Sequence, residues 1–370
     1  MNESKRKMAR EGSNPMNNYQ PINTQQPEDM HQTEDMQQAK DTHHPIKTHQ
    51  QKNMSYGKRQ RWIILYGILL LAFTVYISLD TFVLSSVYRA EATEMNLELF
   101  ANVAAAQPDQ SEETGASAKD SSETDTPEMN TAETASYEDE NIRIVMQEYY
   151  KNNTWIYVAD VQLSSAEYLK TAFAEDTYGK NVTETTSVIA ADHQAILAIN
   201  GDYYGTQESG YVIRNGVLYR EESNGGEVLC IYADGTMEVV DSDEVTAQQL
   251  LEQGVWQALS FGPGLLEDGE ISVDEDDEVG KAKASNPRTA IGMIDENHYV
   301  FVVSDGRTEE SEGLSLYELA EFLQELGAVT AYNLDGGGSS TMVFEGQVIN
   351  QPTSGRKIKE RGVSDIVYIG

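Results

Sequence analysis

Three aspartates, three arginines and one glycine-rich turn carry most of the chemistry this chain could perform. The turn is Asn333-Leu334-Asp335-Gly336-Gly337-Gly338-Ser339-Ser340-Thr341-Met342, and an apolar run from Ala328 to Leu334 delivers Asp335 to it at the end of a strand. Glycine takes up positive φ at little cost and lets another group approach the main chain closely. Successive free amides in such a turn form a concave site for an anion. Carboxylate, amides and hydroxyls together suit a phosphate or a polyhydroxylated ligand; the bland reading is that a triple glycine after a strand is simply a turn. Other apolar strands also end in polar residues: Asn200 and Asp202, Arg288 and Thr289, Asp305 and Arg307, and Arg361 with Asp365 before the last strand. One such cluster would mean little, but several at strand ends imply a shared cleft. The planar fork of arginine suits a phosphate, and Arg288, Arg307 and Arg361 together can hold a diester. Asp335, Asp202 and Asp305 offer the carboxylates that glycosidic cleavage uses, one as acid and another as base or nucleophile. Two other readings stay open. The arginines can form structural ion pairs with these aspartates, or Asp202 and Asp335 can hold a divalent cation, calcium or magnesium.

Other chemistries fit the residues less well. Beyond the N-terminal quarter the only histidines are His193 and His298, with no HExxH pair, no G-x-S-x-G elbow and no Walker pattern. Asp274-Glu-Asp-Asp-Glu278 lacks the alternating ligands and the glycine of an EF-hand loop and reads as surface. The single cysteine, Cys230, lies in an apolar run and reads as a small buried hydrophobe.

The elements that must position these residues are short. Alternating apolar residues predict strands over Ile142–Tyr150 and Trp155–Leu163, and a fully buried one over Ala195–Ile199 that ends at Asn200-Gly-Asp-Tyr-Tyr204. Asn215-Gly216 and Asp234-Gly235 are expected at hairpin turns, since such dipeptides favour the primed types. Arg288 opens a hairpin that returns as His298–Val303 and ends at Ser304-Asp-Gly-Arg307. Helices are expected over Glu184–His193, over Asp243–Gln253 with Asp243 as N-cap, and over Leu314–Leu326, stopped by Gly327. Strands dominate, helices enter singly, and no βαβ unit repeats. The expected class is α+β, with a mixed, mainly antiparallel sheet or sheets and a few packed helices.

Composition divides the rest. Residues 1–58 are polar and Gln-rich, with four of the six histidines, and are expected to be disordered on the cytoplasmic side. Residues 59–87 are expected to form a single transmembrane helix, contacting the bilayer through residues 62–84; Lys58, Arg59 and Arg61 precede the apolar run and Asp80 follows it. That asymmetry places the N-terminus inside and the C-terminal domain outside. Residues 88–140 are acidic and rich in Ser, Thr and Ala, and read as an extended stalk. Residues 141–370 form the folded domain, with 39 acidic and 14 basic side chains. Such a charge argues against nucleic acid as a partner. An outside domain with one cysteine and no internal disulfide suits a Gram-positive surface.

At the polar strand ends the chain resembles a known family. Ala198-Ile-Asn-Gly-Asp-Tyr-Tyr204, Arg288-Thr-Ala-Ile-Gly292, Ser304-Asp-Gly-Arg307, Asn333–Thr341 and Arg361-Gly-Val-Ser-Asp365 are similar, in order, to the motifs of the phosphodiester glycosidases, over roughly 185–370. The resemblance implies hydrolysis of the bond between a sugar's anomeric carbon and a phosphodiester. The expected function is a single-pass cell-surface hydrolase acting on a phosphate-containing glycan such as teichoic acid, capsule or exopolysaccharide. A non-catalytic glycan-binding or envelope-assembly module and a glycan phosphotransferase are the alternatives. In that scheme Arg288, Arg307 and Arg361 hold the phosphate, and Asp335, Asp202 and Asp305 supply acid, base or metal ligands. Asn200, the glycine amides and the hydroxyls of Ser339, Ser340 and Thr341 orient substrate oxygens.

Overall fold

A computed structural model describes residues 56–88, 93–94, 132–275 and 285–370. All but the last three residues of the expected 1–58 tail, and most of the 88–140 stalk, lie outside the described residues, as does part of the acidic 274–278 loop. Tyr56–Phe82 is one continuous helix, and its Gln60–Asp80 portion is long and apolar enough to cross a membrane. Its large apolar side chains, Trp62 to Leu79, are exposed all round. A helix with that distribution needs an apolar surrounding rather than one apolar stripe.

The C-terminal part is α+β, built on three main sheets in which every strand pair among the described residues is antiparallel. An eight-stranded sheet runs in the order Glu270–Ile271, Gly264–Glu267, Thr330–Asn333, Arg288–Asp295, His298–Ser304, Thr154–Leu163, Ile142–Lys151 and Ala132–Glu138. A five-stranded sheet runs Gln347–Val348, Met342–Phe344, Leu197–Asn200, Asp365–Ile369 and Leu169–Phe173. A six-stranded sheet holds Glu227–Tyr232, Val255–Leu259 and Val212–Arg214 at its centre. One core joins all three, with Ile291 and Phe301 from the first, Ile199 and Met342 from the second, and Leu229 and Leu259 from the third. The other face of the large sheet is covered by the helix Leu316–Glu325, which buries Leu319, Phe322 and Leu323 against Val158, Ala290 and Val302.

The helices start where their caps are. Ser315 and Thr246 each form a capping box, with Glu318 and Gln249 respectively reaching back to the cap. The middle helix is therefore Ala247–Glu252, and Asp243, the expected cap, sits before it, its amide bonded to Asp241. The first is Thr186–Asp192, a turn shorter than its apolar pattern. Gly327, at φ +86, ends the last helix as expected.

Two features depart from the expected stalk. Strand Ala132–Glu138 pairs with Ile142–Lys151, so the sheet begins inside the segment the charge pattern assigns to the stalk. Ser86–Val87 pairs with Gly179–Lys180, and Thr93–Glu94 with Val217–Leu218. Within four residues of Phe82 the chain is already paired with the folded domain, and Thr93–Glu94 and Ala132–Glu138 pair with it as well. Of the Ala132–Glu138 strand, Ala135 and Tyr137 pack on the core, an alternation too short to set the segment apart from its polar surroundings in the sequence.

Candidate active site

Antiparallel register assembles the site. Ala290 faces Asn333 across one ladder and Arg288 faces Ser304 across the next, so the start of Arg288–Asp295 lies between the ends of its two neighbours. Arg288, Arg307 and Asp335 thereby emerge at one edge of the large sheet. In the five-stranded sheet Met342 faces Ile199 and Ile366 faces Asn200, which brings Thr341, Asn200 and Asp365 to one end. Asn200 ties the two groups together while fully buried. Its Nδ2 donates to the Asp335 carbonyl (2.6 Å), and its Oδ1 accepts from Thr289 Oγ1 (2.8 Å) and the Thr341 amide (3.3 Å).

Above that tie lies a cavity of about 190 Å³, lined by Phe261, Asn286, Arg288, Arg307, Asp335, Gly336, Gly337, Gly338 and Arg361. Asp335 is the single carboxylate in this lining. Its Oδ2 accepts from Ser339 Oγ (2.6 Å) and Arg361 Nη2 (2.8 Å), while Arg361 Nε donates to Ser339 Oγ (2.9 Å). Burial raises the Asp335 pKa above the ordinary carboxylate value, and the Arg361 charge and the Ser339 hydrogen bond hold it back. Arg288 Nε donates to the Leu314 carbonyl (2.9 Å). Arg307 places Nε (3.2 Å) and Nη2 (2.9 Å) on Asn286 Oδ1. Arg307 also holds φ 63, a conformation that non-glycine residues adopt at a cost and that concentrates at functional sites.

Close approach explains one of the glycines. At Gly337, with φ +63, an added Cβ would stand 2.9 Å from Arg307 Nη2. The turn is thus shaped around the guanidinium, and the Gly337 amide itself donates to the Pro287 carbonyl (2.8 Å).

The structure sorts the expected site residues into two sets. Asp335, Arg288, Arg307, Arg361 and Gly336 to Gly338 line one cavity, and Ser339 touches both Asp335 and Arg361. Asp202 and Asp305, expected as catalytic carboxylates, and Asn200, Ser340 and Thr341, expected to orient substrate, are buried and do not line it. Asp202 is fully buried: its Oδ1 forms an ion pair with Arg214 Nη2 (2.9 Å) and accepts from the Tyr204 amide (3.1 Å), and its Oδ2 accepts from the Ser260 amide (2.8 Å). Among the described residues no three His, Cys, Asp or Glu side chains are grouped to hold a metal. Asp305 anchors the connection after Gln347–Val348, accepting from Asn350 Nδ2 (3.2 Å), the Gln351 amide (2.8 Å) and Tyr157 OH (3.3 Å). Of the two tyrosines after Asp202, Tyr204 is core; Tyr203 is exposed, at φ 73, with its ring centroid 6.0 Å from the Arg361 guanidinium.

Arg214 is the functional support that sequence reasoning misses. It is buried on the strand Val212–Arg214 and its Nη2 also reaches Asp365 Oδ2 (2.8 Å), making a buried triad of two carboxylates and one cation. Burial, countered by Arg214, pushes Asp365 up to about 7. In the sequence Arg214 is just the last residue before a hairpin turn; an arginine ending an otherwise apolar strand is the one signal available.

The phosphodiester glycosidase family model matches residues 193–370. Residues 193–370, a little under half of the chain, are thus similar to the phosphodiester glycosidases. The match starts at His193, just past the helix Thr186–Asp192, and takes in every residue of the cavity. Among relatives, the SPbeta prophage-derived uncharacterized protein YomE of Bacillus subtilis is 30% identical over 198 residues, which is 52% of this chain and 30% of that protein. Human N-acetylglucosamine-1-phosphodiester alpha-N-acetylglucosaminidase is 33% identical over 174 residues, 42% of this chain and 33% of that protein. The chain thus spans about a third of the length of these relatives. The zebrafish enzyme of the same name, in a structure of its catalytic domain auto-inhibited by its pro-peptide, shares the fold. It matches with a TM-score of 0.50 and 22% identity, covering 65% of this chain and 87% of that one.

Proposed function

We propose that this phosphodiester glycosidase domain hydrolyses the bond between a sugar's anomeric carbon and a phosphodiester in a cell-surface glycan. The observation that carries the reading is a cavity with one carboxylate and three guanidinium groups. Cleaving an ordinary glycoside expels a poor alkoxide and so calls for two carboxylates, one of them an acid. A phosphate leaving group is far more stable as an anion, with a second pKa of about 6, and needs electrostatic support more than a proton. One carboxylate and several arginines match that demand. Arg288 and Arg307 hold the phosphate oxygens, and Gly337 keeps the turn clear of the Arg307 fork. A water oxygen bonds to the anomeric carbon and its proton passes to Asp335. The bond from that carbon to the phosphate oxygen breaks, and its electron pair leaves with the phosphate. Arg361 and Ser339 fix the Asp335 carboxylate through Oδ2, leaving Oδ1 toward the reacting atoms.

The helix Gln60–Asp80 anchors the chain as a single span, with the basic Lys58–Arg61 segment inside and the glycosidase domain outside. Pairing of Ser86–Val87 with Gly179–Lys180 then holds the domain close to the bilayer surface, where teichoic acid, capsule or exopolysaccharide chains are within reach.

The test uses the full chain in detergent with a sugar-1-phosphodiester or a UDP-sugar. Free sugar is the expected product, and Asp335→Asn lowers kcat/KM by about 10³-fold or more, within the range general-base catalysis contributes together with nearby electrostatics. Full activity in Asp335→Asn would remove that residue from the chemistry.

A further inference from the structure

We propose that the hairpin formed by Thr353–Ser354 and Lys357–Ile358 is a second phosphate subsite, which takes the neighbouring phosphodiester of a polymeric substrate. This rests on the reading of the cavity as a phosphodiester site. The segment Gln351–Arg361 carries Arg356, Lys357, Lys359 and Arg361 against the lone acid Glu360. Over 141–370 the acidic side chains number 39 and the basic 14, so four of the fourteen cations stand within six residues, at the mouth of the site. Glu360 does not neutralise them. Its carboxylate turns to the helix Thr186–Asp192, where Oε1 accepts from the Ser187 amide (3.0 Å) and Oε2 from its hydroxyl. Arg356, Lys357 and Lys359 are exposed, and none is in an ion pair among the described residues. In a domain this acidic, three adjacent cations without a carboxylate partner point to an anion from outside.

The hairpin is held at the cavity. Thr353 Oγ1 donates to the Gly306 carbonyl (2.7 Å), and the Lys359 amide to the Pro352 carbonyl (2.7 Å). A Cβ added to Gly338 would meet Ser354 at 3.4 Å and Arg361 at 3.5 Å, so the first strand packs on the glycine turn itself. The tip turns through Gly355 (φ 59) and Arg356 (φ 62), a primed turn in which arginine takes a conformation usually left to glycine or asparagine. Since the chain advances at most about 3.6 Å per residue, the Cα atoms of Lys359 and Lys357 lie within about 7 and 14 Å of that of Arg361. A cavity of about 190 Å³ is smaller than the ~300 Å³ at which pockets for drug-sized ligands begin. It takes one reacting unit, and the next unit of a polymer has to lie along this cationic lip.

The experiment places the full chain in phosphatidylcholine nanodiscs and measures binding of two fluorescent probes. One is a multi-repeat hexose-1-phosphate oligomer joined by phosphodiesters, the other its single-repeat diester. The triple variant Arg356→Gln/Lys357→Gln/Lys359→Gln should weaken oligomer binding about tenfold relative to the single-repeat diester, the size expected of a few exposed charges acting together. The salt dependence of oligomer binding should flatten in the same variant. The charge-preserving Lys357→Arg/Lys359→Arg should bind the oligomer as the wild type does. An unchanged ratio, or an equal loss for both probes, overturns the proposal. So does a variant whose only defect is in binding phosphatidylglycerol vesicles, which would assign the hairpin to the lipid surface. If the wild type binds the oligomer through these residues and cleaves neither probe, the hydrolytic reading falls and the subsite stands. If the single-repeat diester is cleaved and the oligomer gains nothing from the hairpin, the reverse holds.

Discussion

Replacing Asp202 by Asn asks whether that carboxylate belongs to the chemistry or to the fold. The structure answers through its oxygens, both of which are engaged: Oδ1 pairs with the Arg214 charge and accepts from the Tyr204 amide, and Oδ2 accepts from the Ser260 amide. An asparagine amide can reproduce one acceptor, and its NH₂ must then face a donor in a fully buried place. Losing a hydrogen bond between charged partners costs about 1.5–3 kcal/mol, and an unsatisfied buried donor about 1–3 kcal/mol. Asp365, which already touches Arg214 through Oδ2, takes over part of the counter-ion role, so the net loss should be about 3 kcal/mol. For a domain of this size that is roughly 6–12 °C in Tm. The assay is thermal unfolding of the full chain at mildly acidic pH, paired with turnover of a sugar-1-phosphodiester well below the transition. Asp202→Asn should lower Tm by that amount and keep kcat within about tenfold. Asp335→Asn should do the opposite, losing turnover with little change in Tm. An Asp202→Asn protein with unchanged Tm and turnover reduced about 10³-fold, the scale of a lost catalytic base, would refute the structural role and return Asp202 to the site.

Three further outcomes follow from the same triad and cavity. Asp365 has a folded pKa of about 7 against an ordinary 3.8, so the folded state binds the extra proton between those values. Stability is therefore lost as pH rises through that window, by up to about 4 kcal/mol. Asp365→Asn, which has no proton to take up in this range, should flatten the pH profile of Tm. Gly201→Ala would put a Cβ 2.2 Å from Asp365 Oδ1, on a side chain that Arg214 holds in place; the overpacking should cost about 1–3 kcal/mol, read as a lower denaturant midpoint. Arg307→Lys gives up the fork that now rests on Asn286 and should raise KM for a sugar-1-phosphodiester about tenfold with a smaller effect on kcat, measured by steady-state kinetics.

Much of this molecule is written locally. Hairpin turns at Asn215-Gly216 and Asp234-Gly235, the stop at Gly327 and the buried strand into Asn200 follow from backbone preference and periodicity, which act over a few residues. So does the glycine turn after Asp335, and of the polar strand ends Arg288, Arg307, Arg361 and Asp335 line one cavity. What local pattern could not decide is which carboxylate meets the cleft. Asp202 and Asp335 both follow a buried strand and both stand beside glycine. They differ because Arg214, from another sheet, reaches under the first, while Arg361, from the segment before the last strand, reaches over the second. Likewise Ala132–Glu138 reads as stalk because its apolar alternation, Ala135 and Tyr137, is too short to stand out, and only the open edge of Ile142–Lys151 makes it a strand. Sequence set the residues capable of the chemistry; long-range pairing of charges and strand edges, invisible to any local window, decided which of them face the cavity and which hold it up.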